Sequence, residues 1–117
     1  MSTDPRGDAA WTDPERPPAW GEGLTDHGGV WSTWLRNNDG SEQDRPHIWH
    51  WCDHSVWIAR AKTEGRELVD VEPRWGIAGT GAHDMPSRDP LTLSPSLYLP
   101  DCCGLHGFLT DGRWRSV

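Results

Sequence analysis

The amino-acid sequence predicts a small, mainly β domain built from antiparallel hairpins and preceded by an irregular N-terminal arm. Three observations favour this fold class. Short runs rich in Trp, Ile, Val and Leu are separated by turn residues, and no long amphipathic pattern with a helical period is present. Near the C-terminus, Asp111-Gly112 separates two strand-like runs, which is a strong short-range signal for a β-hairpin.

The composition indicates a thin hydrophobic core. Only 34% of the 117 residues are hydrophobic, and the chain contains 13 Gly and 10 Pro. Soluble domains usually hold roughly 45–50% apolar residues when Gly is included. Nine Trp residues compensate in part, because each can bury a large area. A small domain with so few aliphatic side chains usually needs a metal, a disulfide or a partner chain for stability.

Charge and cysteine usage restrict the function classes. The formal net charge of −7 argues against a phosphate-binding surface, so a protein partner is expected rather than nucleic acid. No apolar run approaches the ~20 residues that cross a bilayer, and the N-terminal residues lack the pattern of a secretory signal. Three cysteines, two of them adjacent, make a poor disulfide framework, which favours a reducing cytoplasm.

The chain divides by composition near residue 46. Residues 1–46 form an acidic, Pro- and Gly-rich segment that is expected to be a partly extended arm. Trp11 and Trp20 are candidates for anchoring this arm to the domain. The run Val30–Arg36 fits one face of a helix and also fits a strand, so it is expected to be a short ordered element of either type.

Residues 47–117 are expected to form the β domain. His47–Cys52 and Ser55–Arg60 predict a first hairpin with a tight connection at Asp53-His54. Pro95 cannot donate to a ladder, so Pro90–Leu99 is expected to be an edge strand or two short strands that meet at a bend. The other predicted strands are 67–71, 75–77, 107–110 and 113–117.

Two groups of Cys and His residues predict a zinc site. The first group lies at the first hairpin and the second near the C-terminus: His50, Cys52 and His54, then Cys102, Cys103 and His106. Structural zinc sites take four N or S ligands and commonly draw a pair from each of two hairpin corners. The favoured set is His50, Cys52, Cys103 and His106.

Alternatives to this ligand set are open at the level of sequence. His54 could pair with Cys52 by curling over the turn, and Cys102 could replace Cys103. The cysteines could also be small buried apolar groups, or Cys52 could form a disulfide with Cys102 or Cys103.

Catalysis has little support in the sequence. The motifs H-E-x-x-H and H-x-E of zinc hydrolases and deaminases are absent, and no orienting Asn or Asp is evident for a Cys103–His106 nucleophile pair. The remaining histidines, His27, His47 and His83, are expected on the surface. The three tryptophans Trp49, Trp51 and Trp57 are expected in the core.

Three segments carry a resemblance to known proteins: His47–Cys52, Asp89–Leu97 and Cys103–Trp114. Together they resemble small proteins encoded by phages of actinobacteria, mycobacteriophages included, and they are distantly similar to the DUF6527 family. The resemblance implies a zinc-ribbon-like β fold and a phage origin, and it places His106 where the histidine of that family lies. It implies no reaction. In that family the first knuckle is usually C-x-x-C, whereas Ser55 stands three residues after Cys52. Either a histidine replaces the second thiolate or the site is incomplete.

The sequence thus favours a phage-encoded, zinc-stabilised module that contacts a host or phage protein in the host cytoplasm without catalysing a reaction. A minor virion or assembly component is the alternative, followed by a metal- or Cys-dependent enzyme.

Overall fold

Two four-stranded antiparallel sheets form the framework of the protein, here described from a computed structural model that covers residues 7–18, 22–67, 71–99 and 103–117. The first sheet has the order β1-β2-β3-β4 and the second the order β5-β6-β7-β8. The strands are β1 Glu22–Asp26, β2 Trp31–Trp34, β3 His47–Cys52, β4 Arg74–Gly79, β5 Asp84–Arg88, β6 Leu91–Leu99, β7 Leu105–Thr110 and β8 Arg113–Ser116. A 3-10 helix, Gly7–Thr12, and one α-helix, α1 Ser55–Thr63, complete the described part of the chain. The prediction of a mainly β, antiparallel fold is confirmed.

An aliphatic layer joins the two sheets. Its buried side chains are Val30, Ile48, Leu91, Leu93, Leu97 and Leu109, with Met85, Leu105 and Trp114 packed against them. Full burial of one such side chain stabilises the fold by roughly 1.5–3 kcal/mol. Because side chains alternate along a strand, Ile48 places His50 and Cys52 on the same face of β3, toward the second sheet.

The N-terminal segment covers the opposite face of the first sheet. Trp49 on β3 is 0% exposed, and its ring meets Trp11 edge-on at 5.3 Å between centroids. The guanidinium of Arg74 lies over Trp11, and Nε1 of Trp75 donates to the carbonyl oxygen of Asp13 at 2.6 Å. Trp11 is therefore in contact with the domain, as its sequence position suggested, while Trp20 lies outside the described residues.

The first sheet extends across residue 46, where the composition changes. Strands β1 and β2 precede that residue, and β2 pairs with β3 in the register Trp31↔Trp49, Ser32↔Ile48 and Thr33↔His47. The ambiguous run that begins at Val30 is thus a strand over most of its length. Residues 22–34 complete the sheet from which His50 and Cys52 project.

The predicted strand Ser55–Arg60 is wrong, because these residues begin α1. His54 adopts the left-handed conformation with φ of 58°, and the Asp53 carboxylate accepts a hydrogen bond from the Ser55 N–H at 2.9 Å. This bond lowers the pKa of Asp53. The turn directs the chain away from β3, whose neighbours are β2 and β4 instead. Trp57 accordingly projects from the helix and is 40% exposed, so it is not a core residue.

Strand β6 differs from its prediction as well. It lies inside the second sheet between β5 and β7, not at an edge. Its register with β7 shifts between Leu93 and Leu97, the interval that contains Pro95. Such an irregularity accommodates a residue that has no N–H to donate. Strand β5 was not predicted, β4 extends the predicted run 75–77 at both ends, and the strand predicted over 67–71 lies mostly outside the described residues.

The predicted C-terminal hairpin is confirmed. Asp111 and Gly112 both have positive φ, 51° and 75°, as a type I′ turn requires. Strands β7 and β8 pair on either side of this turn, with Leu109 opposite Trp114.

His27 is buried, which corrects its expected position on the surface. It is 7% exposed and lies in the turn between β1 and β2. Its Nδ1 lies 2.8 Å from the carbonyl oxygen of Gly112, and its Nε2 lies 2.7 Å from Oγ of Ser32. The backbone N–H of Trp114 also donates to the His27 carbonyl. His27 therefore links the first sheet to the turn of the last hairpin. The described helices include none with the length and apolar character needed to cross a membrane.

Candidate metal centre

Three predicted ligands come together between the two sheets. His50 and Cys52 project from β3, and Cys103 lies in the connection between β6 and β7. Their ligand atoms all lie within 4.8 Å of one another. The three side chains thus form a group that could hold a metal ion.

Local backbone structure explains this convergence. His50 and Cys52 are two residues apart on one strand face and are 5% and 2% exposed. Cys103 immediately precedes Gly104, which has a positive φ of 70° and donates its N–H to the Leu99 carbonyl at 2.8 Å. The backbone conformation at Gly104 presents the Cys103 thiol to β3, about fifty residues away in sequence.

Two of the distances between donor atoms are close to those of tetrahedral coordination. Sγ of Cys103 lies 3.9 Å from Nδ1 of His50, and Sγ of Cys52 lies 3.3 Å from Nδ1 of His54. Two ligands on one zinc, with bonds of ~2.3 Å to sulfur and ~2.05 Å to nitrogen, are separated by about 3.6 Å in a tetrahedron. The observed separations lie on either side of that value. Cys52 and Cys103 are both thiols, so the disulfide alternative is not realised between them.

His54 supplies a fourth donor beside the group of three. Its left-handed backbone conformation turns its ring back toward Cys52, and the ring also meets Trp57 edge-on at 5.7 Å. It adjoins the group through Cys52 and does not meet the 4.8 Å limit with all three members. The donors available here are thus two imidazoles and two thiols.

The electrostatic environment favours a neutral imidazole at His50. Its pKa is lowered from 6.5 to about 4, first because burial penalises the charged imidazolium and second because of charge repulsion from His54. A neutral ring keeps the nitrogen lone pair that a metal requires.

His106, the fourth predicted ligand, lies elsewhere. Its Nε2 is 2.9 Å from Oγ of Ser96, and its ring packs against Tyr98 with 4.9 Å between centroids. Along β7, Leu105 and Gly107 face the core, so alternation directs His106 to the outer face of the second sheet. The spacing between Cys103 and His106 suggested that both bind one metal ion. Strand β7 begins at Leu105, directly after Gly104, and its alternation directs the His106 side chain away from Cys103. Cys102 lies outside the described residues.

Gly76 supports the position of the His50 ring. It is the residue opposite His50 on β4, and a Cβ added there would lie 2.7 Å from Nε2 of His50 and 3.0 Å from its Cε1. The ring of His50 thus occupies space that any larger residue at position 76 would fill. Gly79, on the same strand, has only an ordinary contact of 3.8 Å to His47.

The donor chemistry narrows the range of metals. Thiolate and imidazole donors favour zinc and other soft or borderline ions, whereas magnesium and calcium prefer oxygen. The group formed by the described residues contains no carboxylate.

Comparison of the chain with protein-family models, with curated proteins and with solved structures returned no match.

Gly76→Ala is expected to weaken metal binding at least about tenfold, because the added methyl group displaces the His50 ring. Gly79→Ala is the matched control on the same strand and should bind metal like the wild type. Titration with Co²⁺, followed by its thiolate-to-metal absorption, measures both variants. Equal affinities for the two variants would show that His50 is not a ligand.

His54→Ala should reduce affinity for Co²⁺ more than about 100-fold, since loss of a ligand exceeds the 10–100-fold effect of losing an outer-shell partner. His106→Ala should leave the affinity unchanged, because its ring is on the other side of the second sheet. The reverse order of effects would restore His106 as the fourth ligand.

Proposed function

We propose that the protein is a zinc-stabilised interaction module that contacts another protein and catalyses no reaction. The observation that carries this proposal is the position of the His and Cys donors, which lie where three elements meet: the end of β3, the start of α1 and the β6–β7 connection. We propose that zinc is held by His50, Cys52, His54 and Cys103, a Cys₂His₂ set of the structural type.

Such a zinc ion would fix the orientation of α1. This helix has a single buried residue, Ala61, so packing alone holds it weakly. At its first turn, Cγ2 of Val56 lies 3.4 Å from the position of a Cβ on Gly104, beside Cys103. His54 directly precedes the helix. Metal binding would therefore stabilise the helix at its N-terminal end and lock it against the β6–β7 connection.

Helix α1 then offers the contact surface. Trp57 and Ile58 are adjacent and are 40% and 38% exposed. Beside them is a cavity of about 300 Å³ lined by Ile58, Lys62, Arg66 and Glu67. Exposed Trp is among the residues that contribute most to protein interfaces. Because residues 22–34 are built into the first sheet, we assign the contact to α1 rather than to the acidic arm.

Among the described residues, no carboxylate belongs to the donor group, which supports a non-catalytic role. The nearest acidic residue in sequence is Asp53, whose carboxylate is hydrogen-bonded to the Ser55 N–H. A hydrolytic zinc site normally pairs the metal with a carboxylate that moves a proton. The closed donor set fits a structural ion better than an enzyme centre.

The biological setting rests on the resemblance to phage-encoded proteins. We propose that the partner is a host or phage protein met in the host cytoplasm. A role as a minor virion or assembly component uses the same α1 surface, and detection of the protein in purified particles would favour it.

Purified protein is expected to contain about one zinc per chain by elemental analysis. Chelation should lower Tm by at least about 10 °C, because zinc binds the folded state and its loss removes several kcal/mol of stability. Negligible metal together with a Tm that is indifferent to chelator would refute the zinc assignment.

Trp57→Ser should reduce the recovery of a specific partner from infected host cells at least about tenfold, because such an anchor residue typically contributes 2 kcal/mol or more. Tyr98→Ser is the matched control, since it removes an even more exposed aromatic ring from a different face. Quantitative mass spectrometry of captured proteins gives the measurement. Loss of recovery with Tyr98→Ser but not with Trp57→Ser would place the contact elsewhere.

A further inference from the structure

The outer face of the second sheet carries a row of exposed aromatic rings. Tyr98 on β6 is directly opposite His106 on β7, with 4.9 Å between ring centroids. Phe108 follows two residues along β7, 6.5 Å from His106. Tyr98 is 58% exposed and Phe108 is 38% exposed. The three rings lie side by side on the two central strands of a four-stranded sheet.

Two arginines border this row. Arg115 on β8 is opposite Phe108, and its guanidinium lies 5.4 Å from the centre of that ring. Arg113 is opposite Thr110 on the same face. Phe108, Thr110, Arg113 and Arg115 line a shallow cavity of about 220 Å³. A cavity with an aromatic wall and two guanidinium groups suits an anion that is joined to a planar group.

The negative charge of the chain is located elsewhere. Of the eighteen acidic residues, only Asp101 and Asp111 follow residue 90. Strands β6, β7 and β8 contain two arginines and no acidic residue. The net charge of −7 therefore belongs to residues 1–90, whereas residues 91–117 hold two arginines and two aspartates and have no net charge. The expectation from net charge that nucleic acid is not a ligand therefore does not extend to this face, where both arginines line the cavity beside Phe108.

We propose that this face binds single-stranded nucleic acid. Two or three successive bases stack on Tyr98, His106 and Phe108, and the adjoining phosphates contact Arg113 and Arg115. Exposed aromatic side chains on the central strands of a sheet stack on bases in this way, and stacking tolerates any sequence because every base has a π-face. A duplex is excluded from this mode because its bases are not free to stack on side chains. The site is separate from α1 and does not depend on the proposed protein contact.

Cross-strand aromatic pairs also stabilise sheets without binding a ligand. That role alone accounts for neither the absence of acidic residues from these strands nor the two arginines beside the outermost ring. Binding and stability measurements on the same variants separate the two roles.

Fluorescence anisotropy with the zinc-loaded, full-length protein tests the proposal. The probes are fluorescein-labelled dT10, rU10 and a 10-base-pair duplex in 50 mM salt. A labelled ten-residue Glu-rich peptide represents acidic protein segments as an alternative ligand. Single strands should bind at least about tenfold more tightly than the duplex. Tyr98→Ala and Phe108→Ala should each weaken binding at least about fivefold, as expected for the loss of one stacked base. Trp57→Ala is the control and should bind like the wild type.

Salt dependence tests the arginines separately. Two phosphate contacts predict a slope of log K against log salt of about −1.4, and Arg113→Gln or Arg115→Gln should each reduce it to about −0.7. Equal binding of dT10 and rU10 supports contacts to bases and phosphates alone, whereas preference for rU10 supports an additional contact to the 2′-hydroxyl. Melting temperatures of all variants show whether each remains folded.

Four outcomes would overturn the proposal. These are no binding of either single strand, binding of the duplex as tight as that of single strands, unchanged affinity in folded Tyr98→Ala and Phe108→Ala, and binding of the Glu-rich peptide in place of the oligonucleotides. The last outcome would identify the face as a site for acidic protein segments.

Discussion

The aliphatic layer between the two sheets is the constraint on which the rest of the structure depends. Val30 and Ile48 from the first sheet meet four leucines from the second, and few other aliphatic side chains are buried there. A layer this thin leaves little excess free energy after the conformational entropy of the chain is lost. Polar contacts between the sheets therefore make a relatively large contribution to the stability of the fold. His27 provides one such link, because both of its ring nitrogens have partners, one of them in the last hairpin.

The His and Cys donors continue the same arrangement along β3. Ile48 contributes to the aliphatic layer, and the next two residues on that face, His50 and Cys52, are buried donors. Both side chains lie beside other donors, Cys52 beside His54 and His50 beside Cys103. A metal ion shared by these donors would add a connection between the sheets. The same ion would set the direction of α1, whose own packing is slight.

Two exposed surfaces follow from this architecture, and they differ in chemistry. Helix α1 presents Trp57 and Ile58 beside the candidate metal centre, which suits an apolar protein contact. The outer face of the second sheet presents aromatic rings with two arginines and no carboxylate on strands β6 to β8. Because they belong to different elements, one chain could bring a protein and a short single strand together.

The sequence by itself determined what depends on short-range pattern. Alternation along His47–Cys52 placed Ile48, His50 and Cys52 on one face, and Asp111-Gly112 specified a type I′ hairpin through its backbone conformations. Both signals extend over only a few residues, so they do not depend on which distant segments pack against them. The thin core was evident from composition, and the candidate donors His50, Cys52 and Cys103 were evident from their residue types and local spacing.

Only the tertiary structure decided which distant segments meet. Strand β2 pairs with β3 through hydrogen bonds between residues that are distant in sequence, and no local sequence pattern predicts such pairing. From sequence alone, residues 22–34 were therefore assigned to the arm. His54 rather than His106 adjoins the donors, because a left-handed residue after β3 turns one ring inward while strand alternation after Gly104 directs the other outward. His27 became a buried link only when the last hairpin packed against it. The spacing of residues along the chain shows which side chains are close enough to share a metal. The direction in which each side chain points depends on the backbone, which tertiary packing fixes.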